Sequence, residues 1–573
     1  MVLPAGHHPP KTKYLKTKDH PLRWPILAPP SYLACMKRLT TLLAASFVGF
    51  ATYAQTAEFL QHYTTDDINT VVSNFNLPLE LVAPQYEVDI YRVSYETTHP
   101  NGETWPVTGA LALPSGTTCP LPLSSYQHGT IARKTDAPSY LSDEALLGVL
   151  YASVGFACVL PDYIGLGDSP GLHLYVHADS EALASLDLIR AAHALQEELN
   201  FALNDQLFIW GYSQGGHATL ALHKLIEEEH ADEFTVTASA PMSGPYDISG
   251  VQAEVITSDQ PYPTPGYLPY VVLSYQAVYG NLYTDLSEVF LPEYAAIIPD
   301  LFDGTNSMGY INNQFPAVPS QALLPEVLEA YENDPEHPIR IALQANDLYD
   351  WAPQAPVRLY YCEGDDQVSY LNSIVCLDAM VANGANDVLA FNGGNLDHGG
   401  CAPLAMFAGF NYFNALKEDS FGLDVTIEAF GTPVAGTALG YINVFIPSEE
   451  FYTFSWSNGA ETLNIESLAE GEYTLTITNA EGCSRSYTVE IGVSVSVNDR
   501  SEAAFQLYPM PANDVVQLGV HDFNAVQVFG LNGRMVLQGS VRNQSTLDVS
   551  ELAPGGYILV LDGWKTERLL IVR

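Results

Sequence analysis

Positive charge is scarce in this chain. Of 573 residues only 22 are Lys or Arg, against 66 Asp or Glu, for a formal net charge of −44. Beyond position 54 the lysines are Lys134, Lys224, Lys417 and Lys565 alone. A field of that sign repels a phosphate backbone and an anionic lipid surface, which excludes nucleic acid as a partner and electrostatic docking to a membrane. Long apolar runs are also missing. The run Leu39–Phe50 near the start has twelve residues, where a membrane-spanning helix needs about 20. There is no His-Glu-x-x-His, no EF-hand loop, no paired Cys-x-x-Cys and no Gly-x-x-x-x-Gly-Lys, so no metal and no cofactor is expected. Cysteines are few: Cys35, Cys119, Cys158, Cys362, Cys376, Cys401 and Cys483. The six beyond residue 54 allow 15 pairings, among which spacing does not choose. Cys158, in an apolar strand, reads equally well as a buried free thiol. Charged residues are only 15%, but apolar residues reach 47% and aromatics 11%, so the chain is expected to fold, and its length points to two to four domains at roughly 150 residues each.

Met36-Lys37-Arg38 precedes the Leu39–Phe50 run, and Thr52-Tyr53-Ala54 follows it with small residues at −3 and −1 of a cut before Gln55. That is the three-part build of a secretory signal peptide over residues 36–54. Because a signal peptide begins its protein, Met36 is expected to be the initiator and residues 1–35 a mis-called start.

From Tyr86 to about Lys417 strand and helix patterns alternate. Tyr86–Tyr95 and Val107–Leu113 read as strands joined by a turn at Asn101-Gly102. Six short apolar runs follow: Leu121–Tyr126, Phe156–Leu160, Leu207–Trp210, Val236–Ala240, Val357–Tyr361 and Val388–Phe391. Between them lie amphipathic stretches, of which Glu181–Leu199 is the clearest, with an expected cap at Asp179/Ser180. Short apolar strands separated by helices predict a mostly parallel sheet covered on both faces, with chemistry at the carboxyl ends of the strands. Residues 250–353 interrupt the alternation with Pro/Tyr-rich helical sequence. After about residue 424 the helices stop, and short alternating strands with Gly/Asn turns predict a small β-sandwich over 424–492, then a second all-β unit over 498–573.

Gly211-Tyr212-Ser213-Gln214-Gly215-Gly216 sits between the strand Leu207–Trp210 and the helical stretch His217–Glu229. Small residues on both sides allow the tight turn that lifts a serine hydroxyl out of a sheet, so Ser213 is the candidate nucleophile. Its base should follow in the chain, and after residue 337 only His398 and His521 remain. His398, in the loop Asn395–Gly400 after the last strand of the alternating region, is the candidate. The acid should end the strand Val357–Tyr361, where Asp365 is chosen over its neighbour Asp366, with Asp247 the alternative from the preceding strand. Glycine in His128-Gly129-Thr130 lets backbone approach an oxyanion, so the hole is assigned to the backbone N–H groups of Gln214 and Thr130, with His128 itself structural. Asp162–Ser169 reads as a glycine loop packed beside the site and not as a phosphate cradle.

Tyr126–Thr130, Pro161–Ser169, Gly211–Gly216 and the late Asp365 and His398 together resemble the α/β-hydrolase superfamily, in its secretory-lipase-like branch, over roughly residues 60–420. The resemblance implies an α/β fold with a helical cap inserted at 250–353 of a hydrolase domain spanning 55–423, and a Ser213/Asp365/His398 ester hydrolase. Leu507–Asp514, Leu531–Arg534, Leu552–Tyr557 and Arg568–Arg573 resemble the C-terminal sorting domain of the type IX secretion system, with Met510 where that family usually has Asn. It implies export across the outer membrane of a Gram-negative cell by the secretion machinery, the tail being cleaved and the product released or attached to surface lipopolysaccharide. Residues 424–492 are similar to Ig-like repeats of bacterial surface adhesins, for which a spacer role suffices.

The expected activity is a secreted serine esterase or lipase acting on a small-molecule or lipid ester. A peptidase on the same triad and a non-catalytic adhesin are the alternatives. Eight aromatic residues between Tyr262 and Tyr294 suggest an acyl pocket under the cap, or simply the cap's own core. Tyr163, Tyr212, Tyr270 and Tyr275 are the candidate pocket residues.

Overall fold

The computed structural model describes residues 55–74, 84–418 and, with short omissions, 421–492 and 507–571. The expected start site and signal peptide lie outside the described residues. So do the polar stretch near 494–501 and half of the Leu507–Asp514 motif.

A single nine-stranded sheet organises the first two-thirds of the chain, in the order β1-β2-β3-β5-β4-β6-β7-β8-β9. Its strands are β1 (Thr56–Tyr63), β2 (Val88–Thr98), β3 (Thr104–Pro114), β4 (Leu121–Gln127), β5 (Ala157–Pro161), β6 (Leu203–Tyr212), β7 (Ala238–Met242), β8 (Val357–Tyr361) and β9 (Val388–Asn392). From β5 to β9 all neighbours are parallel, whereas β1, β2, β3 and β5 pair antiparallel. This is the α/β architecture expected. The difference is β1, an edge strand that the patterning did not suggest. Most of its side chains are exposed and it is broken by a bulge between Phe59 and Gln61, so it carries no period-2 apolar signal.

Helices cover both faces. The helices Ala178–Ala194, Gln214–Glu229 and Leu371–Ala382 contribute Leu186, Leu220 and Met380 to one core. Thr65–Asn74, Asp143–Ser153 and His398–Leu416 contribute Ile68, Leu150 and Phe413 to the other. With helices on both sides, the central strands β4 and β5 are buried at every position, which is why they read as continuous apolar runs. The helix expected from Glu181 begins at Ala178, capped by His177, whose ring accepts from Ser180 N–H, and not by Asp179 or Ser180. Burial of the His177 ring, packed 5.8 Å from Tyr279, supplies a cap that local propensity does not favour.

Between β7 and β8 the chain leaves the sheet to build a helical cap, including Tyr267–Tyr279, Pro325–Asn333 and Pro338–Gln344. The cap has its own core of Tyr270, Tyr275, Phe290, Ile298 and Ile311, joined by Tyr175 and Val176 from the sheet-end loop below. After the sheet and its cap, two three-stranded antiparallel sheets, Thr426–Phe430/Gly440–Phe445/Ile465–Leu468 and Tyr452–Trp456/Gly471–Asn479/Ser484–Ile491, share a core around Trp456, Ile442 and Ile477. The Cys119–Cys483 disulfide bonds this unit to the β3–β4 connection, beside the Thr118 N–H to Ser484 carbonyl bond of 3.0 Å. Three- and four-stranded antiparallel sheets make up the described part of the chain beyond Leu507. Among the described residues no helix is long and apolar enough to cross a membrane.

Candidate active site

Ser213 stands between β6 and the helix Gln214–Glu229 with φ +62° and ψ −122°, a conformation that costs a non-glycine residue of order 1–3 kcal/mol and persists only when surroundings enforce it. The enforcement is visible. Ser213 N–H donates to the Met242 carbonyl at the end of β7 (2.9 Å). On the other side, a Cβ at Gly215 would lie 1.9 Å from the Gln127 carbonyl oxygen at the end of β4. The turn is thus gripped between two strand ends, and only glycine at 215 lets it sit so low. The helix begins at Gln214 and not at His217, so Gln214 N–H is the first of the helix and has no intrahelical acceptor.

The expected acid and base meet. Asp365 Oδ1 and Oδ2 lie 2.9 and 2.8 Å from His398 Nδ1, with the carboxylate only 1% exposed. Asp365 Oδ1 is itself fixed by the N–H groups of Gln367 (3.0 Å) and Val368 (2.8 Å). Asp366 does something else: its Oδ1 accepts His398 N–H at 3.1 Å. Asp247 accepts the Gly250 N–H and caps the turn after β7, and Asp397 caps the helix His398–Leu416 through Gly400 N–H. The residue before Ser213 joins the two halves, since the Tyr212 hydroxyl donates to the His398 carbonyl (2.6 Å) and its ring packs 4.8 Å from the imidazole.

Thr130 follows the end of β4, and its hydroxyl donates to Tyr175 Oη (3.2 Å). His128 is buried with its ring nitrogens on the carbonyls of Gly129 (2.7 Å) and Asp162 (3.2 Å), the structural part expected of it. The glycine loop packs as foreseen: a Cβ at Gly165 would meet the His173 backbone nitrogen at 2.2 Å. Within it, the Asp162 carboxylate accepts from Thr108 Oγ1 (2.6 Å) and Ser139 N–H (3.0 Å), and burial pushes its pKa up.

A cavity of ≈ 100 Å³ opens beside Ser213 and Gln214, walled by cap residues such as Leu268, Val271, Val327, Leu328 and Tyr331. Of the four tyrosines expected there, none lines it. Tyr163 stacks between the His128 and His173 rings, Tyr212 holds the His398 backbone, and the hydroxyls of Tyr270 and Tyr275 donate to the carbonyls of Ile131 (2.9 Å) and Val176 (3.0 Å). A buried phenol favours an acceptor, and those of Tyr270 and Tyr275 lie in the protein, so these two rings turn into the cap core, whereas the Tyr163 hydroxyl is buried with no partner among the described residues. Tyr175, Tyr262, Tyr267 and Tyr331 line the cavity in their place. Only Tyr262 and Tyr267 carry a signal in the sequence, since they fall within the aromatic stretch.

Two further features escaped the sequence reading. Cys362 and Cys401 form a disulfide, leaving Cys158 and Cys376 as buried free thiols whose pKa burial pushes up, to about 12 for Cys158. Glu181 and His217, both fully buried, form a pair beneath Gln214, with Nδ1 3.0 Å from Oε2. Glu181 lies inside an otherwise amphipathic helix, where a lone acid reads as solvated.

Residues 141–398 match the model of the secretory lipase family, and residues 506–571 match the secretion system C-terminal sorting domain. The latter marks the chain for secretion or the surface of a Gram-negative bacterium. Among solved structures, the rice cell wall degrading esterase LipA from Xanthomonas oryzae is 28% identical with a TM-score of 0.56, covering 63% of this chain and 96% of its own. A Legionella pneumophila protein assigned as a hydrolase is 26% identical with a TM-score of 0.60, covering 64% of this chain and 98% of its own. A search of curated proteins found no match.

Proposed function

From a chain that belongs to the secretory lipase family of α/β hydrolases and carries a secretion sorting domain, we propose a secreted carboxylic ester hydrolase working through Ser213, His398 and Asp365. The observation that carries this reading is the buried Asp365–His398 pair, tied through Tyr212 to a strained serine that opens on an apolar cavity.

In this mechanism Ser213 Oγ attacks the ester carbonyl while His398 Nε2 takes its proton. Asp365 holds Nδ1–H, which sets the tautomer that leaves Nε2 free as a base and stabilises the imidazolium. The carbonyl oxygen becomes an oxyanion held by the backbone N–H groups of Gln214 and Thr130, the first of which also carries the positive end of its helix dipole. His398 then protonates the leaving alkoxide, giving free alcohol and an acyl-Ser213 ester. Water, deprotonated by the same imidazole, attacks that ester, and collapse returns the carboxylic acid and the serine hydroxyl. The apolar cavity receives the acyl group, whose transfer from water favours binding by about 0.8 kcal/mol per buried CH₂. The sorting domain delivers the enzyme to the outer-membrane secretion machinery and is then cleaved, leaving the enzyme free or linked to surface lipopolysaccharide.

The test is hydrolysis of p-nitrophenyl esters from acetate to palmitate by the full chain and by its Ser213→Ala and His398→Ala forms. Turnover lost in both variants, with fluorophosphonate labelling lost in Ser213→Ala, is the expected result. Turnover of aminoacyl amides in preference to esters would make the enzyme a peptidase, and folded protein silent on both would leave a binding protein.

A further inference from the structure

Beneath the serine turn lies a polar cluster that the proposed chemistry does not use. Glu181, 1% exposed, accepts three hydrogen bonds on its carboxylate. Oε1 takes Gln214 Nε2–H at 2.7 Å and Val176 N–H at 3.1 Å, and Oε2 takes His217 Nδ1–H at 3.0 Å. The other ring nitrogen of His217 faces the Asn346 carbonyl at 3.0 Å. The ring is thus held on both sides, by a carboxylate and by a backbone carbonyl. Buried polar groups persist when they are hydrogen-bonded in this way.

The Gln214 amide is oriented by the same cluster. Its Nε2 also lies 2.7 Å from His173 Nε2, and the opposite nitrogen of that ring sits 2.9 Å from the Ile164 carbonyl. The His173 ring is therefore protonated at Nδ1 and accepts at Nε2. Both amide protons of Gln214 are thus taken, while its Oε1 is buried without a protein partner among the described residues. Turning the amide over would set that oxygen against the carboxylate, so the orientation is forced. An orphaned buried acceptor is a cost, and it is tolerated here because the amide nitrogen is held twice.

We propose that Glu181 is a positioning residue for the oxyanion donor at Gln214, a reading that rests on the function proposed above. Gln214 is the first residue of the helix and shares its peptide plane with Ser213, whose backbone is strained. Anchoring the Gln214 side chain to a buried carboxylate fixes its Cα, and through it the N–H that must point at the oxyanion before charge develops there. The same carboxylate holds Val176, a cavity-wall residue at φ +48°. One buried side chain thus sets both the wall of the cavity and the donor at its floor. Asn346, at the end of the cap, closes the circuit: its Oδ1 accepts Ala178 N–H (2.8 Å) and its carbonyl accepts from His217.

The test compares the full chain with Glu181→Gln and Gln214→Ala on p-nitrophenyl butyrate, together with inhibition by a boronic acid, which forms an anionic tetrahedral adduct on serine. Gln214→Ala keeps the backbone N–H and removes only the tether, so it answers even if Glu181→Gln does not fold. A displaced donor should cost about 10²-fold in kcat, with KM within threefold, and boronic acid affinity should fall in step with kcat. Glu181→Gln should match it, and the double variant should be no worse than either single one, because both break the same connection. Unchanged kcat in folded Gln214→Ala, or a loss confined to KM with boronic acid affinity intact, would overturn the proposal. A wild-type chain that neither turns over esters nor takes a fluorophosphonate on Ser213 would instead overturn the function beneath it.

Discussion

Cys362 and Cys401 are disulfide-bonded, and each stands three residues from one member of the Asp365–His398 pair: Cys362 before Asp365, Cys401 after His398. The bond ties the loop that ends β8 to the first turn of the helix His398–Leu416. It thereby closes a covalent ring around a hydrogen-bonded one. Replacing both cysteines by serine should lower stability by about 2–4 kcal/mol and lower kcat more than it raises KM, because loosening the pair disturbs orientation and not the acyl cavity. Thermal unfolding and steady-state kinetics of the double variant check this. A stable variant with unchanged kcat would show that the bond is unconnected to the pair.

Asp365 and Asp366 are neighbours with different work. Asp365→Asn should lower kcat/KM by about 10⁴-fold, since an amide offers a donor toward Nδ1 and favours the wrong tautomer. Asp366→Asn keeps an oxygen for the His398 N–H and should stay within about tenfold of wild type. Equal effects from the two substitutions would contradict this division.

Chain-length preference should respond to the cavity and not to the tyrosines of the cap core. Leu268→Trp or Val271→Trp, both at the cavity wall, should shift the optimum of the p-nitrophenyl ester series to shorter acyl groups while leaving acetate turnover near wild type. Tyr275→Phe removes the hydroxyl that bonds the Val176 carbonyl. It should cost about 1 kcal/mol of stability without moving the optimum.

Stability should decline in acid through two buried imidazoles. Burial lowers the pKa of His173 to about 3 and of His177 to about 4, whereas each titrates near 6.5 once unfolded. Above pH 6.5 neither state binds the proton and stability is unaffected. As pH falls toward 4 and then 3 the unfolded chain alone takes the protons, so stability is lost, by at most about 1.4 kcal/mol per pH unit for each ring. Denaturant unfolding of His173→Gln between pH 7 and 4 should show a shallower decline than wild type, and a parallel decline would remove His173 from the account.

Much of the architecture was legible because it rests on local pattern. Eight of the nine strands carried apolar runs or alternation, and β1 did not, since an exposed edge strand with a bulge leaves no periodic trace. The Gly211–Gly216 turn declared itself through glycines that its neighbours make necessary. His398 emerged by elimination, as a late histidine between a strand and a helix.

What the sequence determined by itself, then, was the order of elements, the serine turn and the identity of the residues able to serve it, because turn geometry, burial period and side-chain chemistry are properties of short segments. Tertiary structure alone decided which carboxylate meets the imidazole, which cysteines bond, which tyrosines wall the cavity and where a buried side chain finds its partner. Those are choices among chemically equivalent residues, and they are settled by distances between segments far apart in the chain. Glu181 and His217 are 36 positions apart, Cys119 and Cys483 364, and no local pattern carries that information.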